Sequence, residues 1–195
     1  RKADIHVSTS TFVPKPFTPF QWEPQINRDQ IIASQQLLRR ELKKTGLTYR
    51  WHDSRESFLE AVLSRGDRRI SHVIEQAYRA GARFDGWKEH FNEEIWRNAF
   101  ASCNIEPGFY AHRRFDLKET LPWDHIDCGV TKDWLLKDYQ FSLKEKFIPD
   151  CATGRCYDCG VCDFEVVKNR TYVSSNTEYY PQGQKPKGIG EHPIL

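Results

Sequence analysis

Four of the six cysteines fall in one short run toward the C-terminal end of the chain. Cys151, Cys156, Cys159 and Cys162 have the spacing C-x4-C-x2-C-x2-C. Thiolates two residues apart can turn toward one ion or cluster, and four of them complete the coordination of a tetrahedral Zn²⁺ or a [4Fe–4S] cluster. The run therefore predicts a metal site held by these four residues.

The spacing leaves the metal open. Structural zinc sites commonly join two ligand pairs from separate parts of a chain, and this run has no long spacer between pairs. A compact run containing C-x4-C-x2-C is closer to iron–sulfur loops, although their fourth ligand often lies elsewhere in the chain. Two disulfides in a secreted protein are the other interpretation. The roughly 100 residues before the first cysteine disfavour it, because disulfide-stapled domains are usually small and cysteine-dense throughout.

A second polar stretch comes before the cysteine run and contains Asp124, His125 and Asp127. These residues could bind a metal or transfer protons. In an extended segment neighbouring side chains point to opposite faces, so at most His125 and Asp127 would share one. The favoured interpretation is a loop with capping carboxylates, since short polar residues ahead of a helix usually cap it. The helix predicted to begin at Thr131 would then lead the chain to the cysteines.

Composition predicts an ordinary globular protein. The 195 residues (23.0 kDa) are 38% hydrophobic and 29% charged, enough for one domain with a core, or a domain plus a small metal module. A net charge of +2 is too mild to indicate nucleic-acid binding by itself. No apolar run approaches the roughly 20 residues that span a bilayer, and no secretory signal is recognisable. These features predict a cytoplasmic protein with reduced thiols.

The chain contains no methionine and starts at Arg1, shortly before an apolar, β-branched stretch. This predicts a fragment or a processed product of a longer protein.

Two strand patterns flank a helix in the first part of the chain. Ile5–Phe12 is rich in β-branched residues, and Leu47–His52 alternates apolar and polar residues. Between them, Asn27 and Gln30 have the spacing of a capping box, and Gly46 can end the helix that they begin. Helix followed by strand predicts an α/β unit.

A proline-rich loop follows the first strand at Pro14–Trp22. It could plug one end of a sheet or barrel, or line a ligand site.

Further helices are predicted over the middle of the chain. One follows Asp53 and ends at Gly66, and a second runs from Asp67 to Gly81. A third should begin after Gly86 and carry Trp87, Phe91, Ile95 and Ala99 at four-residue spacing. Four polar residues in or beside these helices could be ligands or bases, but are expected to be ordinary surface residues: His52, His72, His90 and Arg69.

Beyond the cysteines, Phe164–Tyr172 could form a short strand. From Ser174 the composition predicts a flexible tail.

Several motifs together resemble the C-terminal part of a family of B12-binding-domain radical SAM proteins of unassigned substrate. The resemblance covers about residues 5 to 162 and rests on long motifs. These are Val7–Pro16, Thr18–Trp22, Trp51–Asp53, Arg65–Arg69, Phe84–Trp87, Leu121–Asp127 and the four-cysteine run.

The resemblance implies a parent with a cobalamin-binding-like domain, then a partial radical SAM (β/α) barrel, then sequence like this chain. In that family a C-x3-C-x2-C motif holds the [4Fe–4S] cluster that binds S-adenosylmethionine. This chain has no such motif, so it would be the part after that cluster and inactive alone. Cys151, Cys156, Cys159 and Cys162 would hold an additional centre, and because radical SAM enzymes often carry auxiliary clusters, iron–sulfur is favoured over zinc.

The implied architecture is an α-rich α/β chain in four parts. Residues 1–52 would end the barrel, 53–146 would form a helical C-terminal region, 147–173 the four-cysteine metal module and 174–195 the flexible tail. The upstream domains of the parent would be its partners.

A different interpretation is a zinc-stabilised module that binds RNA or a ribonucleoprotein through the cysteine loop, Arg155, Lys168, Arg170 and the lysines of the tail. A third is a scaffold whose metal only replaces missing core.

Overall fold

The computed structural model describes residues 5–148, 151 and 156–167. Within them the chain forms two parallel strands and six helices, which confirms an α-rich α/β protein. The elements are β1 (His6–Thr9), α1 (Arg28–Thr45), β2 (Thr48–Trp51), α2 (Ser54–Arg65), α3 (Ile70–Arg79), α4 (Glu93–Ser102), α5 (Pro107–Ala111) and α6 (Lys132–Ser142). The chain divides into two compact units, residues 1–125 and 126–195.

The first elements form a β–α–β unit. β1 and β2 pair in parallel, with Val7 opposite Tyr49, and α1 connects them. The Thr9 and Tyr49 hydroxyls form a cross-strand hydrogen bond of 2.7 Å. A parallel pair requires such a crossover, so the predicted order of helix and strand is confirmed. β1 is shorter than the predicted Ile5–Phe12.

Local signals fix the ends of α1 as predicted. The Asn27 side chain accepts the Gln30 N–H at 2.9 Å, and the Gln30 side chain accepts the Asn27 N–H at 3.0 Å. Gly46 ends the helix in the left-handed region at φ 72°. Only a residue without Cβ adopts that conformation at no steric cost.

The core of the first unit lies among α2 to α5, where α2 packs against α5 and α3 against α4. Its buried residues are Leu59, Ala61, Val62, Ile70, Val73, Ala77, Ala82, Trp96, Ala99, Phe100, Tyr110 and Ala111. The short helix α5 has no apolar repeat of its own and was not predicted from the sequence.

The buried Arg65 side chain joins the end of α2 to the chain around α5. Its guanidinium donates hydrogen bonds to the carbonyl oxygens of Tyr110, Ala111 (2.9 Å) and Arg113 (2.6 Å), and lies 4.2 Å from the centre of the Phe115 ring. Burial lowers the pKa of Arg65 to about 10, and the nearby Arg113 charge adds to this. The guanidinium therefore remains charged at neutral pH.

The third predicted helix begins later than the sequence suggested. Trp87 and Phe91 precede α4, because the Trp87 N–H closes a tight turn onto the Phe84 carbonyl at 2.9 Å. Asn92 is the N-cap, and its side chain accepts the Glu94 N–H at 3.0 Å. The second helix likewise begins at Ile70 rather than Asp67.

In the second unit, Thr131 caps α6 as predicted, and its Oγ1 accepts the Trp134 N–H at 3.3 Å. Residues 164–167 do not form the predicted strand, and the rest of that segment lies outside the described residues. The predicted tail, Arg155, Lys168 and Arg170 also lie outside them. Among the described residues, no helix combines the length and apolar character needed to cross a membrane.

Candidate metal centre

The loop after α6 forms a tight turn around two of the predicted ligands. The Asp158 N–H donates a 3.3 Å hydrogen bond to Cys156 Sγ. Asp158 and Gly160 both have left-handed backbones, at φ 59° and 98°. Hydrogen bonds to cysteine sulfur orient and tune the ligands of zinc and iron–sulfur centres. The Cys156–Gly160 turn therefore suits a metal ligand at Cys156.

This turn packs against the loop that precedes α6. The Thr131 N–H donates to the Cys159 carbonyl oxygen at 2.9 Å. A Cβ built on Gly160 would lie only 3.0 Å from the Gly129 carbonyl oxygen and 2.7 Å from Thr131 Cγ2. Glycine is thus required at position 160 by both its conformation and its close neighbours.

None of the six cysteines is in a disulfide, and the predicted ligands are accessible. Cys151 is exposed, and Cys156, Cys159 and Cys162 are half-buried. Four thiolates are a suitable donor set for zinc or an iron–sulfur cluster. Across residues 5–148, 151 and 156–167, however, no group of three or more His, Cys, Asp or Glu side chains converges as a metal site would require. The fit of these residues to a metal therefore rests on the chemistry of the donor atoms and on the turn geometry, and not on side chains that already converge on one point.

The second unit has little apolar core of its own. Among its described residues, the only buried side chains are those of Leu135 and Tyr139. Small modules of this kind are commonly held together by a metal or by disulfides. A thiolate-bound metal would supply the missing stabilisation.

The polar stretch before α6 uses its carboxylates in turns. Asp124 Oδ2 accepts the Leu121 N–H at 2.8 Å, and Asp127 Oδ1 accepts the Gly129 N–H at 2.7 Å. His125 is exposed. These hydrogen bonds agree with the favoured interpretation of capping carboxylates.

The proline-rich loop is packed into its own unit. Pro14, Gln21 and Trp22 are buried, and the Trp123 indole N–H donates to Gln21 Oε1 at 2.7 Å. These side chains therefore serve packing and do not line an open site.

The four polar residues that the sequence singled out in or beside the helices are surface residues, and their own contacts assign them no further role. His52, His72 and His90 are exposed, and Arg69 pairs with Asp67 at 2.6 Å.

A groove of about 420 Å³ beside His90 lies in the first unit. Several of its lining charges are in ion pairs, as Glu93 is with Arg28 at 2.9 Å and Glu94 with Arg97 at 3.1 Å. Nothing in its geometry points to a particular ligand.

Sequence reasoning missed one feature of this region. The tetrapeptide Asp-Cys-Gly-Val occurs twice, at 127–130 and at 158–161. A search for short internal repeats would have found it, and would have drawn attention to Cys128. The two copies lie on the two loops that pack together.

Comparison of the chain with protein-family models, with curated proteins and with solved structures found no match.

Proposed function

We propose that this chain is the C-terminal part of a radical SAM enzyme and carries an additional metal centre bound by cysteine thiolates. Cys151, Cys156, Cys159 and Cys162 are the ligands predicted from the sequence, and a [4Fe–4S] cluster is the favoured occupant, with zinc as the alternative. The setting is the reducing cytoplasm, where thiolates persist.

The observation that carries the proposed parentage is the parallel pair β1–β2 with its helical crossover. Parallel sheets are normally built from more strands and covered on both faces. Within the described residues each strand pairs on one side only, and large apolar side chains next to or within them are exposed, including Ile5 (53%), Phe12 (53%) and Trp51 (40%). This arrangement suits the last strands of a larger (β/α) barrel, whose other strands would come from the upstream part of the parent.

On this proposal the chain does not carry out the radical chemistry alone. None of its cysteines forms a C-x3-C-x2-C motif. The sites for S-adenosylmethionine, and for cobalamin if the parent uses it, belong to the upstream barrel and cobalamin-binding-like domains.

The metal site is supported by the four cysteines that form no disulfide, by the hydrogen bond to Cys156 Sγ and by the small core of the second unit among its described residues. A bound cluster could transfer electrons, ligate substrate or hold the C-terminal loops together. The residues of the chain would supply the thiolates, and the Asp158 N–H would hydrogen-bond to the sulfur of Cys156.

The first experiment is metal and sulfide analysis, with a visible spectrum, on chain purified without oxygen. About four iron and four sulfide per chain, with absorbance bleached by dithionite, is the expected result. About one zinc without sulfide would overturn the iron–sulfur assignment and favour the RNA-binding or scaffold interpretation. Absence of bound metal, even after anaerobic reconstitution, would overturn the metal centre itself.

The parentage is tested separately by extending the chain upstream. We expect the longer protein to contain a C-x3-C-x2-C motif and to cleave S-adenosylmethionine to 5′-deoxyadenosine under reducing conditions, while the 195-residue chain does not. An upstream region without that motif would refute the radical SAM proposal and leave the metal site standing.

A further inference from the structure

The two parallel strands have chemically different faces. The Tyr49 and Trp51 rings stack at 5.1 Å between their centres, so they share one face, and the hydrogen bond between the Thr9 and Tyr49 hydroxyls adds Thr9 to it. The Arg39 guanidinium of α1 lies 5.8 Å from the centre of the Trp51 ring, and α1 packs against β2. This face is therefore the one that α1 covers.

The opposite face is polar and exposed. Side chains alternate along a strand, so this face carries the residues that lie between those of the first. The register places His6 opposite Thr48, and Ser8 opposite Arg50. His52 directly follows β2 and continues the alternation, because its N–H donates to the last carbonyl oxygen of β1 at 3.3 Å. These side chains are all exposed, and none is acidic.

A polar face of this composition is unusual in a parallel sheet. Parallel sheets are normally covered on both faces, so their strands are apolar on both. The interior of a (β/α) barrel is likewise filled by bulky branched side chains. Serine and threonine are too small to fill such an interior, and hydroxyl, imidazole and guanidinium groups require polar partners. In the proposed parent, this face would therefore line a polar space and not a packed core.

We propose that this face binds a phosphate group of the parent enzyme's substrate, with Arg50, Ser8 and His52 as hydrogen-bond donors. The inference rests on the proposed parentage and names a chemical class for the unassigned substrate. The Arg50 guanidinium offers a planar fork of N–H groups that matches phosphate oxygens. Ser8 lies directly across from Arg50, at the strand spacing of about 4.8 Å, and His52 lies two residues along, about 6.6 Å away.

The charge of the face favours an anion. Within the described part of the chain, Arg50 forms no ion pair. Many other arginines of the first unit pair with carboxylates, including Arg28, Arg55, Arg69 and Arg79. A carboxylate ligand has only two oxygens, whereas a phosphate has enough acceptors for guanidinium, hydroxyl and imidazole together. A single arginine also lacks the concentrated positive charge that a nucleic acid requires.

The test is a titration of the 195-residue chain with inorganic phosphate, at constant pH and ionic strength, followed by NMR of the side-chain nitrogens. We expect the Arg50 Nε–H signal and the His52 ring signals to shift and saturate by about 50 mM phosphate. The rings of His72 and His90, which are exposed elsewhere on the first unit, should not shift. Equal shifts at all three histidines, or no shift at His52, would overturn the inference.

Two variants that lose the same charge provide a matched comparison. Arg50→Gln should weaken phosphate binding by at least about tenfold, measured at the His52 ring. Arg39→Gln, on the face that α1 covers, should change it by less than about twofold. Unchanged binding in Arg50→Gln would overturn the inference. If Arg50→Gln fails to fold, the comparison of His52 with His72 and His90 in the unaltered chain decides.

Other ligands test the chemical class. Acetate should bind at least about tenfold more weakly than phosphate, because it has fewer acceptor oxygens. Acetate binding as tight as that of phosphate would overturn the assignment to a phosphate. A short unphosphorylated single-stranded RNA that shifts the same signals more tightly than phosphate would overturn the assignment to a small substrate.

Failure of this inference is distinguishable from failure of the parentage. If phosphate does not bind and the upstream sequence contains the C-x3-C-x2-C motif, the phosphate site is refuted and the parentage stands. If phosphate binds at Arg50 and the upstream sequence lacks that motif, the parentage is refuted and the site remains a property of this sheet face.

Discussion

Replacing Gly160 by alanine tests the packed turns on which the candidate centre depends. A side chain at φ 98° costs about 1–2 kcal/mol, because Cβ meets its own backbone. The new Cβ would also lie 3.0 Å from the Gly129 carbonyl oxygen and 2.7 Å from Thr131 Cγ2. Overpacking of this kind typically costs about 1–3 kcal/mol.

The contact with Thr131 raises the cost further. Rotating its side chain away from the new methyl group would remove Oγ1 from the Trp134 N–H and uncap α6, at about 1 kcal/mol. Gly160→Ala should therefore destabilise the second unit by about 3–6 kcal/mol in total.

Gly129→Ala is the matched control, because φ is 85° there but no atom lies closer than 3.7 Å to the new Cβ. Gly129→Ala should destabilise the second unit only by the conformational cost of about 1–2 kcal/mol. Hydrogen exchange of the α6 amides, followed by mass spectrometry, measures the difference. A gap of about 2 kcal/mol corresponds to about 30-fold faster exchange in Gly160→Ala. Exchange rates within about threefold of each other would refute the close packing of the two turns.

Two further predictions concern the first unit. Arg65→Met removes the guanidinium donor from three carbonyl oxygens, of which that of Ala111 keeps the Gln25 N–H at 2.8 Å. The variant should lower the free energy of unfolding by about 3–5 kcal/mol in urea titrations, whereas the exposed Arg68→Met should change it by less than about 0.5 kcal/mol. Equal effects would contradict the role given to Arg65. Hydrogen bonds from Arg55 lower the pKa of Asp53, so the charged carboxylate stabilises the fold above its unfolded pKa and this contribution disappears as pH falls through the lower folded pKa. Asp53→Asn keeps a capping side chain. The variant should be less stable than the unaltered chain by under about 1 kcal/mol at pH 7, and the two should be equally stable at pH 2. A difference in the free energy of unfolding that stays constant between these pH values would contradict the coupling of stability to the ionisation of Asp53.

The parts of the fold that follow from the sequence are those fixed by near neighbours. The capping box of Asn27 with Gln30 and the cap at Thr131 are hydrogen bonds across three residues, so the sequence alone contains both partners. The same holds for the left-handed end at Gly46. Short-range chemistry of this kind is not changed by the rest of the fold.

Predictions from the sequence failed where two local patterns competed, or where residues that contact each other lie far apart in the chain. Trp87 and Phe91 have helical spacing with Ile95, but Asn92 supplies a stronger start signal and the tight turn at Phe84 takes the preceding residues. The burial of Arg65 depends on carbonyls 45 to 48 residues away, which no pattern within α2 reveals.

The candidate metal centre likewise combines a local sequence pattern with a contact between residues far apart in the chain. The spacing of the four-cysteine run is a local pattern and could be recognised from the sequence. The packing of the loop before α6 against that run depends on the contact between Gly129 and Gly160, which lie on either side of α6. Only the fold brings those two turns together.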